Sequence, residues 1–590
     1  MIELGMLKRH WVFWVTLFLF ILLLAKNPFS VRTLIPNFEP YPDTIHYINS
    51  AQSFIRGHGL QIWRERRVLK TTVPPLYSLV LIPAFLINID ARMFYFMNIL
   101  LALGSFLFFY LTAKNICTNR SQPVPTQKSF IVLFVSLFLY VTNYFIYWYP
   151  SLAMAENLAL FLFMAGIHVL TLPVTRKHVI LAAVISIAFY ITKYASIPLT
   201  GFYFLSYGLK IIVEHLDSPS ESEGGNDKKT KLVIPMKMGI QPKITSLLIL
   251  ILTSFFLFLA YSIWEWQAKG STLLLTLFSV FLPQKSATLV GSGSWFSMQY
   301  LPAHLPEYLK AIRGGYSVRF LWDNTPIVPI FVGVPGLIGL IFGIFKKQTR
   351  LLSISLLSIL LSSILFMSTF YSIDMRYLYH AIPTLLIGFV MFWEFFLSLR
   401  GAIGDAAISK IRLLRFARND KLNVTRYTLH VVLVILFLFS FATSAIRLKK
   451  QIMLNIKYAE TPWYYLSIVK LNEYFVTLPK KNHKPIVISS LIPYYIDFYN
   501  NNTYGLLPLS LEQEFRNNRK EAWGNNDYSN LLSLYKSYLN RGYDVYVHNY
   551  GLGNEKKLQN DHDAIHTYFK TSLVSTGCLG ACNIWKVNLR

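Results

Sequence analysis

The chain has 590 residues, of which 54% are hydrophobic and only 14% charged, and it carries 45 Phe, 36 Tyr and a formal net charge of +27. Such apolar usage excludes an ordinary soluble domain and points to a membrane protein. The bases are spread between apolar segments instead of forming one tract, which excludes a nucleic-acid-binding arm and makes the positive-inside rule their better explanation.

Apolar stretches of roughly 17 to 25 residues can cross a bilayer, and about eleven follow one another along the chain. They lie at 10–26, 92–113, 129–148, 152–171, 179–196, 198–213, 244–263, 326–345, 351–370, 377–397 and 428–446. The first is followed by no Ala-x-Ala-like cleavage site and reads as an anchor, not as a removed signal peptide. Loop charge sets the orientation. With the N-terminus cytoplasmic, 114–128, 172–178, 346–350 and 398–427 are inside loops, the last holding seven bases against Asp405 and Asp420. The stretches 27–91, 264–325, 371–376 and 447–590 then face the other side.

Within the first outer loop, "NFEPYPDTIHYINSAQSFIRGHG" places Asp43 after Pro42, with Ile45, Ile48, Ala51 and Ile55 recurring at helical spacing. Asp is among the best N-cap residues, so capping competes with chemistry as the reason for it. The run "RERRVLKTTVPPLYSLVLIP", 64–83, brings Arg64, Arg66, Arg67 and Lys70 to a double proline. These bases suit either a phosphate or lipid headgroups. Glu156, in "SLAMAENLALFLF", stands at the outer mouth of the fourth span, where an ionisable residue is functional or paired. Lys193, in "ITKYAS", is at comparable depth near the outer end of the fifth, so a structural ion pair and a site lining are both open. Near the tenth span, "STFYSIDMRYLYHAIPTLLI" offers Asp374, Arg376, Tyr377 and His380. Arg376 suits an anionic headgroup; the alternative is a surface pair with Asp374 beside an aromatic belt.

The stretches 216–241 and 400–421, with "VIPMKMGIQ" and "RLLRFARND", resemble translated dispersed palindromic repeats of bacterial genomes and read as inserted cytoplasmic loops. Residues 447–590 lose the membrane composition. There "KPIVISS", "TYGLLPL", "YDVYVHN" and "NIWKVNL" read as strands, and "LIPYYIDFYN" and "YSNLLSLYKSYLNRG" as helices, giving a small α/β domain. Cys117 falls in an inside loop. Cys578 and Cys582, in "GCLGAC", fall in the exported tail, where a disulfide or two free thiols would fit.

The fold class expected is a polytopic α-helical membrane protein with about eleven spans and a C-terminal extracytoplasmic α/β domain. The division is 1–446 for the multi-span part, with its first outer loop at 27–91, and 447–590 for the tail.

The ordered set of an acid after the first span, "VPPLYSLVLIP", "SLAMAEN", "TKY" and "DMRYLYHAIP" resembles the GT-C membrane glycosyltransferases. The similarity is to the large bacterial group of protein O-mannosyltransferase-like and aminoarabinose-transferase-like enzymes, over about residues 10–446. It implies a GT-C-like fold in a bacterial inner membrane, with the N-terminus cytoplasmic and the tail periplasmic. It implies transfer of a sugar from a polyprenyl-phosphate donor to a lipid, glycan or protein acceptor, with inversion. Asp43 matches the family's catalytic acid, though Thr44 stands where a second acid is usual. Tyr47 matches the later aromatic, Lys70 the Lys before Pro, and Arg376 and Tyr377 the late Arg-Tyr near the lipid phosphate. Glu156 and Lys193 are the remaining substrate-binding candidates.

A polyprenyl phosphate leaves as a stable anion, so one carboxylate suffices where a glycosidase needs two. Asp43 would act as base, and Arg376 and Lys70 would receive the phosphate. The chemistry names no certain cofactor; a divalent metal ion could assist the phosphate, with His46 as a ligand or as an ordinary helix-face residue. Two other classes fit the layout. One is an O-antigen ligase or polymerase using His304, Arg313 and Arg319 of "YLPAHLPEYLKAIRGGYSVRF"; the other is a lipid-linked sugar transporter or flippase.

Overall fold

The computed structural model describes residues 4–25, 43–64, 67–70, 73–88, 93–118, 127–151, 153–193, 196–216, 241–269, 296–314, 327–370, 373, 375–410, 435, 438–439, 441–449, 452–453, 471–479, 482–490, 503–509, 530–550, 556–577 and 583–590. Helices coincide with every predicted apolar stretch but the last, 428–446, much of which lies outside the described residues. Among the described residues four helices are long and apolar enough to cross a membrane, and a bent pair, Ser129–Val141 with Tyr144–Ser151, makes a fifth if read as one broken span. Four shorter apolar helices, His10–Ala25, Leu76–Ile87, Glu156–Thr171 and Ile330–Phe345, accompany them.

In chain order, α1 (Leu4–Ala25) is followed by α2 (Asp43–Ile55), the hairpin β1 (Gln61–Arg64) and β2 (Arg67–Lys70), and α3 (Leu76–Ile87). The basic run of the first loop thus falls on an antiparallel pair of strands in which Arg64 is paired with Arg67 and Gln61 with Lys70. The bundle continues with α4 (Met93–Cys117), α5 (Gln127–Val141), α6 (Tyr144–Trp148), α7 (Glu156–Thr171), α8 (Arg176–Tyr190), α9 (Ile197–Leu216) and α10 (Gln241–Lys269). It then adds α11 (Leu301–Arg313), α12 (Ile330–Phe345), α13 (Arg350–Ser368) and α14 (Ala381–Lys410). The break between α5 and α6 has a local cause: the Asn143 side chain accepts from the backbone N–H of Phe145 and Ile146 and starts a new helix there. Thr175 caps α8 in the same way.

Helices α12 and α14 meet backbone to backbone. A Cβ on Gly339 would overlap the Gly388 carbonyl, and one on Gly388 would overlap the carbonyl of Gly336. Small residues at such spacing let membrane helices approach closely without a water-driven force. Helix α14 also runs on through residues 401–410, so the first half of the stretch expected to be an inserted loop at 400–421 is helical, while 217–240 and 411–421 lie outside the described residues.

The tail forms a five-stranded sheet in the order β4 (Gly505–Pro508), β3 (Ile486–Ser489), β5 (Val545–His548), β7 (Ile584–Asn588), β6 (Lys570–Ser575). The first three are parallel and the last two run antiparallel to their neighbours. Helices α15 (Leu531–Asn540) and α16 (Lys556–Tyr568) belong to it, and Ile488, Val545, Val547, Tyr535, Ile565 and Val587 build a core of its own. Four strands and α15 fall where the sequence placed them. Helix α16 and the edge strand β6 were not foreseen, because "KKLQNDHDAIHTY" is too polar to show a helical apolar stripe. The expected helix at 491–500 and both Cys578 and Cys582 lie outside the described residues.

Candidate active site

Three of the elements that carry candidate residues begin or end at one end of the bundle. Glu156 is the first residue of α7, Lys193 follows the last turn of α8, and Arg376 sits in a 3-10 turn, Met375–Leu378, just before α14. There they converge. Lys193 Nζ donates a short hydrogen bond to Glu156 Oε1, and Arg376 Nη1 stands 3.7 Å from the same oxygen. All three side chains are buried, Glu156 to 0% exposure, Lys193 to 7% and Arg376 to 6%. Tyr377 floors the cluster, its ring centroid 4.6 Å from Lys193 Nζ and 5.5 Å from the Arg376 guanidinium carbon. The ion-pair alternative posed for Glu156 is realised: it pairs with Lys193, in one cluster with Arg376 and Tyr377.

One carboxylate thus meets two cations in a buried site, and Glu156 Oε2 has no hydrogen-bond partner among the described residues. Further contacts fix the Arg376 side: Nη1 lies 3.3 Å from Met154 Sδ, and the Tyr149 hydroxyl donates to the Arg376 carbonyl at 3.4 Å. Tyr379 and Ser196 hydroxyls, 2.7 Å apart, tie the α14 entrance to the α9 entrance.

A buried polar chain joins this cluster to the first loop. Tyr47, on α2, packs edge-on against Tyr77 of α3 with centroids 5.2 Å apart. The Tyr77 hydroxyl donates to Asn98 Oδ1 at 2.8 Å, and Asn157, the neighbour of Glu156, donates to the Asn98 carbonyl at 2.7 Å. The Leu76 N–H also donates to the Ile191 carbonyl, two residues before Lys193, at 3.1 Å. Asp43 is the first residue of α2, one turn ahead of Tyr47, and Lys70 ends β2; the structure describes their backbones. Tyr77, Asn98, Asn157 and Tyr149 were missed by sequence reasoning; the only signal was polar groups inside apolar helices, which near a membrane are expensive unless paired.

Asp374 and Arg319 lie outside the described residues. His304 stacks on Tyr300 at 5.7 Å, and Arg313 is exposed at the end of α11. These two are nine residues apart on one helix, hence on opposite sides of it. Among the described residues no three of His, Cys, Asp and Glu converge as a metal site requires.

No protein-family model matches the sequence, and no curated protein shows significant similarity to it. Two crystal structures share its fold over nearly the full length. One is ArnT from Cupriavidus metallidurans bound to undecaprenyl phosphate, at 12% identity and a TM-score of 0.56, covering 98% of each chain. The other is the same protein in the apo state, at 12% identity and a TM-score of 0.54, again covering 98% of each chain. The chain thus shares its fold with ArnT.

Proposed function

We propose that the chain is a membrane glycosyltransferase that moves a sugar from a polyprenyl-phosphate donor to a lipid, glycan or protein acceptor, at the extracytoplasmic face of a bacterial inner membrane. The observation that carries this is the buried cluster of Glu156, Lys193, Arg376 and Tyr377, which sets a lysine and an arginine side by side. A lipid phosphate is an anion that arrives with an apolar tail, and a desolvated Lys-Arg pair at the end of a helix bundle is suited to receive it. The crystal structure of similar fold that holds undecaprenyl phosphate supports the same class of ligand.

In the reaction the bond between the sugar C1 and the phosphate oxygen breaks, and a bond from C1 to the acceptor oxygen or nitrogen forms. The acceptor proton passes to the Asp43 carboxylate, and the charge left on the phosphate is taken up by Arg376, Lys193 and Lys70. Attack from the face opposite the leaving phosphate inverts C1. No step is routed through a metal ion. Loop charge places this end of the bundle, and the tail, outside the cytoplasm.

Purified enzyme with a defined polyprenyl-phosphate sugar in liposomes tests the proposal. Asp43→Asn should lower the rate of glycosidic bond formation by a factor on the order of 10² to 10⁴ while the donor still binds. Movement of lipid without a new glycosidic bond, or full activity in Asp43→Asn, would sink it.

A further inference from the structure

Asn98 is a fully buried carboxamide near the start of α4, in the stretch "FYFMNILLALG", which is otherwise apolar and aromatic. Within a membrane helix such a group is costly unless its donors and acceptors are met. Here three different elements meet them. Asn98 Oδ1 accepts from the Tyr77 hydroxyl of α3 at 2.8 Å, and its Nδ2 donates to the Pro150 carbonyl at 3.0 Å, in the 3-10 turn Tyr149–Ser151. The Asn98 backbone carbonyl accepts from Asn157 of α7 at 2.7 Å.

Each contact leads to a different part of the site. Tyr77 packs on Tyr47 and so on α2, whose first residue is Asp43. Pro150 follows Tyr149, whose hydroxyl donates to the Arg376 carbonyl. Asn157 follows Glu156, which pairs with Lys193 and stands 3.7 Å from Arg376. An ordinary interhelical tie would join two helices. Asn98 instead joins the support of α2 to the supports of Arg376 and of Glu156.

We propose that Tyr77 and Asn98 are positioning residues that fix the separation between the Asp43 carboxylate and the Arg376–Lys193 pair, a role that rests on the transfer reaction proposed above. In an inverting displacement the base and the leaving phosphate work on opposite faces of C1. Their separation therefore decides whether the acceptor meets C1 in line, and an error of about 1 Å costs on the order of 10²-fold in rate. Tyr77 acts on the base through Tyr47 and α2. Asn98 holds Tyr77 on one side and, through the 149–151 turn and Asn157, the phosphate-binding group on the other.

The full-length enzyme in liposomes provides the test, with kcat, KM for the polyprenyl-phosphate sugar on which the wild type is active, and melting temperature as readouts. Tyr77→Phe keeps the ring against Tyr47 and removes only the hydroxyl; it should lower kcat about tenfold or more and leave KM unchanged. Tyr140→Phe is the matched control, because the Tyr140 hydroxyl also donates to α4, to Ser105 Oγ at 3.1 Å, roughly 10 Å along the helix from Asn98. It should lower the melting temperature as much as Tyr77→Phe does and leave kcat unchanged. Added to Asp43→Asn, Tyr77→Phe should lower the residual rate no further, because the base that it positions is gone. Asn98→Leu, of similar size, breaks both side-chain bonds and should lower kcat beyond Tyr77→Phe; where it does not fold, Tyr77→Phe and its control decide the outcome. Unchanged kcat in Tyr77→Phe, an equal kcat loss in Tyr140→Phe, or a further loss in the Asp43→Asn background overturns the proposal. Full activity in Asp43→Asn defeats the transfer reading itself, whereas an inactive Asp43→Asn beside a fully active Tyr77→Phe defeats this inference alone.

Discussion

At the scale of single residues, the site turns on which oxygen of Glu156 is occupied. Lys193 and Arg376 both address Oε1, so one carboxylate holds two cations in place and leaves its other oxygen unmatched among the described residues. Removing a partner from a buried charge cluster costs far more than the pair contributes when intact. Glu156→Gln should therefore destabilise the protein by about 3 kcal/mol or more, measured by thermal denaturation. Lys193→Met in the same chain should restore part of the loss, as a double-mutant cycle would resolve. Polyprenyl phosphate should raise the melting temperature of Glu156→Gln more than that of the wild type, because its phosphate supplies the missing anion. An equal shift in both would separate this cluster from phosphate binding. Sequence reading found Glu156, Lys193, Arg376 and Tyr377 individually, since charges at span ends stand out from apolar surroundings. It offered Lys193 as an ion-pair partner of Glu156 from their similar depth, but it could not add Arg376 and Tyr377, which lie far along the chain.

At the scale of elements, the α12 and α14 pair meets backbone to backbone, and the contact is made through glycines. Gly336, Gly339 and Gly388 bring carbonyl against Cα, with no room for a side chain between the two backbones. Gly339→Leu should force the helices apart and destabilise by about 3 kcal/mol or more, read as lost thermal stability in detergent. Leu337→Ala, a neighbour only partly buried against the core, should cost less. Equal losses would show that the glycine face does not set the contact. The same pair matters for the site, because α14 starts beside Arg376. The apolar stretches predicted helix positions well, since twenty apolar residues have few other stable states in a bilayer. They said nothing of partners, because lipid and helix faces look alike in composition.

At the scale of the whole molecule, the α/β tail differs from the bundle in its response to pH. His548 is fully buried at the end of β5, and His562 and His566 stand one turn apart on α16, their rings 4.6 Å apart and both edge-on to Trp585. The Tyr550 N–H donates to His548 Nδ1, and His566 shares a 2.7 Å hydrogen bond with Thr571. Burial first, then the His562 charge, pushes His548 down to about 3. Burial and the His566 charge, opposed by Asp563, push His562 down to about 4, and burial lowers His566 as well, again opposed by Asp563.

These groups are neutral in the folded tail and take up protons when it unfolds, so their stability is fully present above the ordinary histidine range, near 6.5. It is lost as the pH falls from there towards 4. His548 and His562 together should remove roughly 2–3 kcal/mol per pH unit in that window. Hydrogen exchange on the full chain should show peptides from 545–577 losing protection at pH 4.5 while those from α4 and α14 keep it. His548→Gln should flatten the dependence. Protection in the tail that does not change with pH would refute it.

The sequence by itself determined the membrane class, the helices at the long apolar stretches, most of the α/β tail and the residues worth watching, because hydropathy and charge act locally and tolerate no alternative in a bilayer. Even Asp43 was legible only as the start of a helix after a proline, and the structure starts α2 at that residue. The tertiary structure alone decided that Glu156, Lys193, Arg376 and Tyr377 form one buried group, and that Tyr77, Asn98 and Asn157 link it to α2. It alone showed the glycine seam between α12 and α14. Such features are pairings between residues distant in the chain, and their energy depends on distance and burial, which no single stretch of sequence encodes.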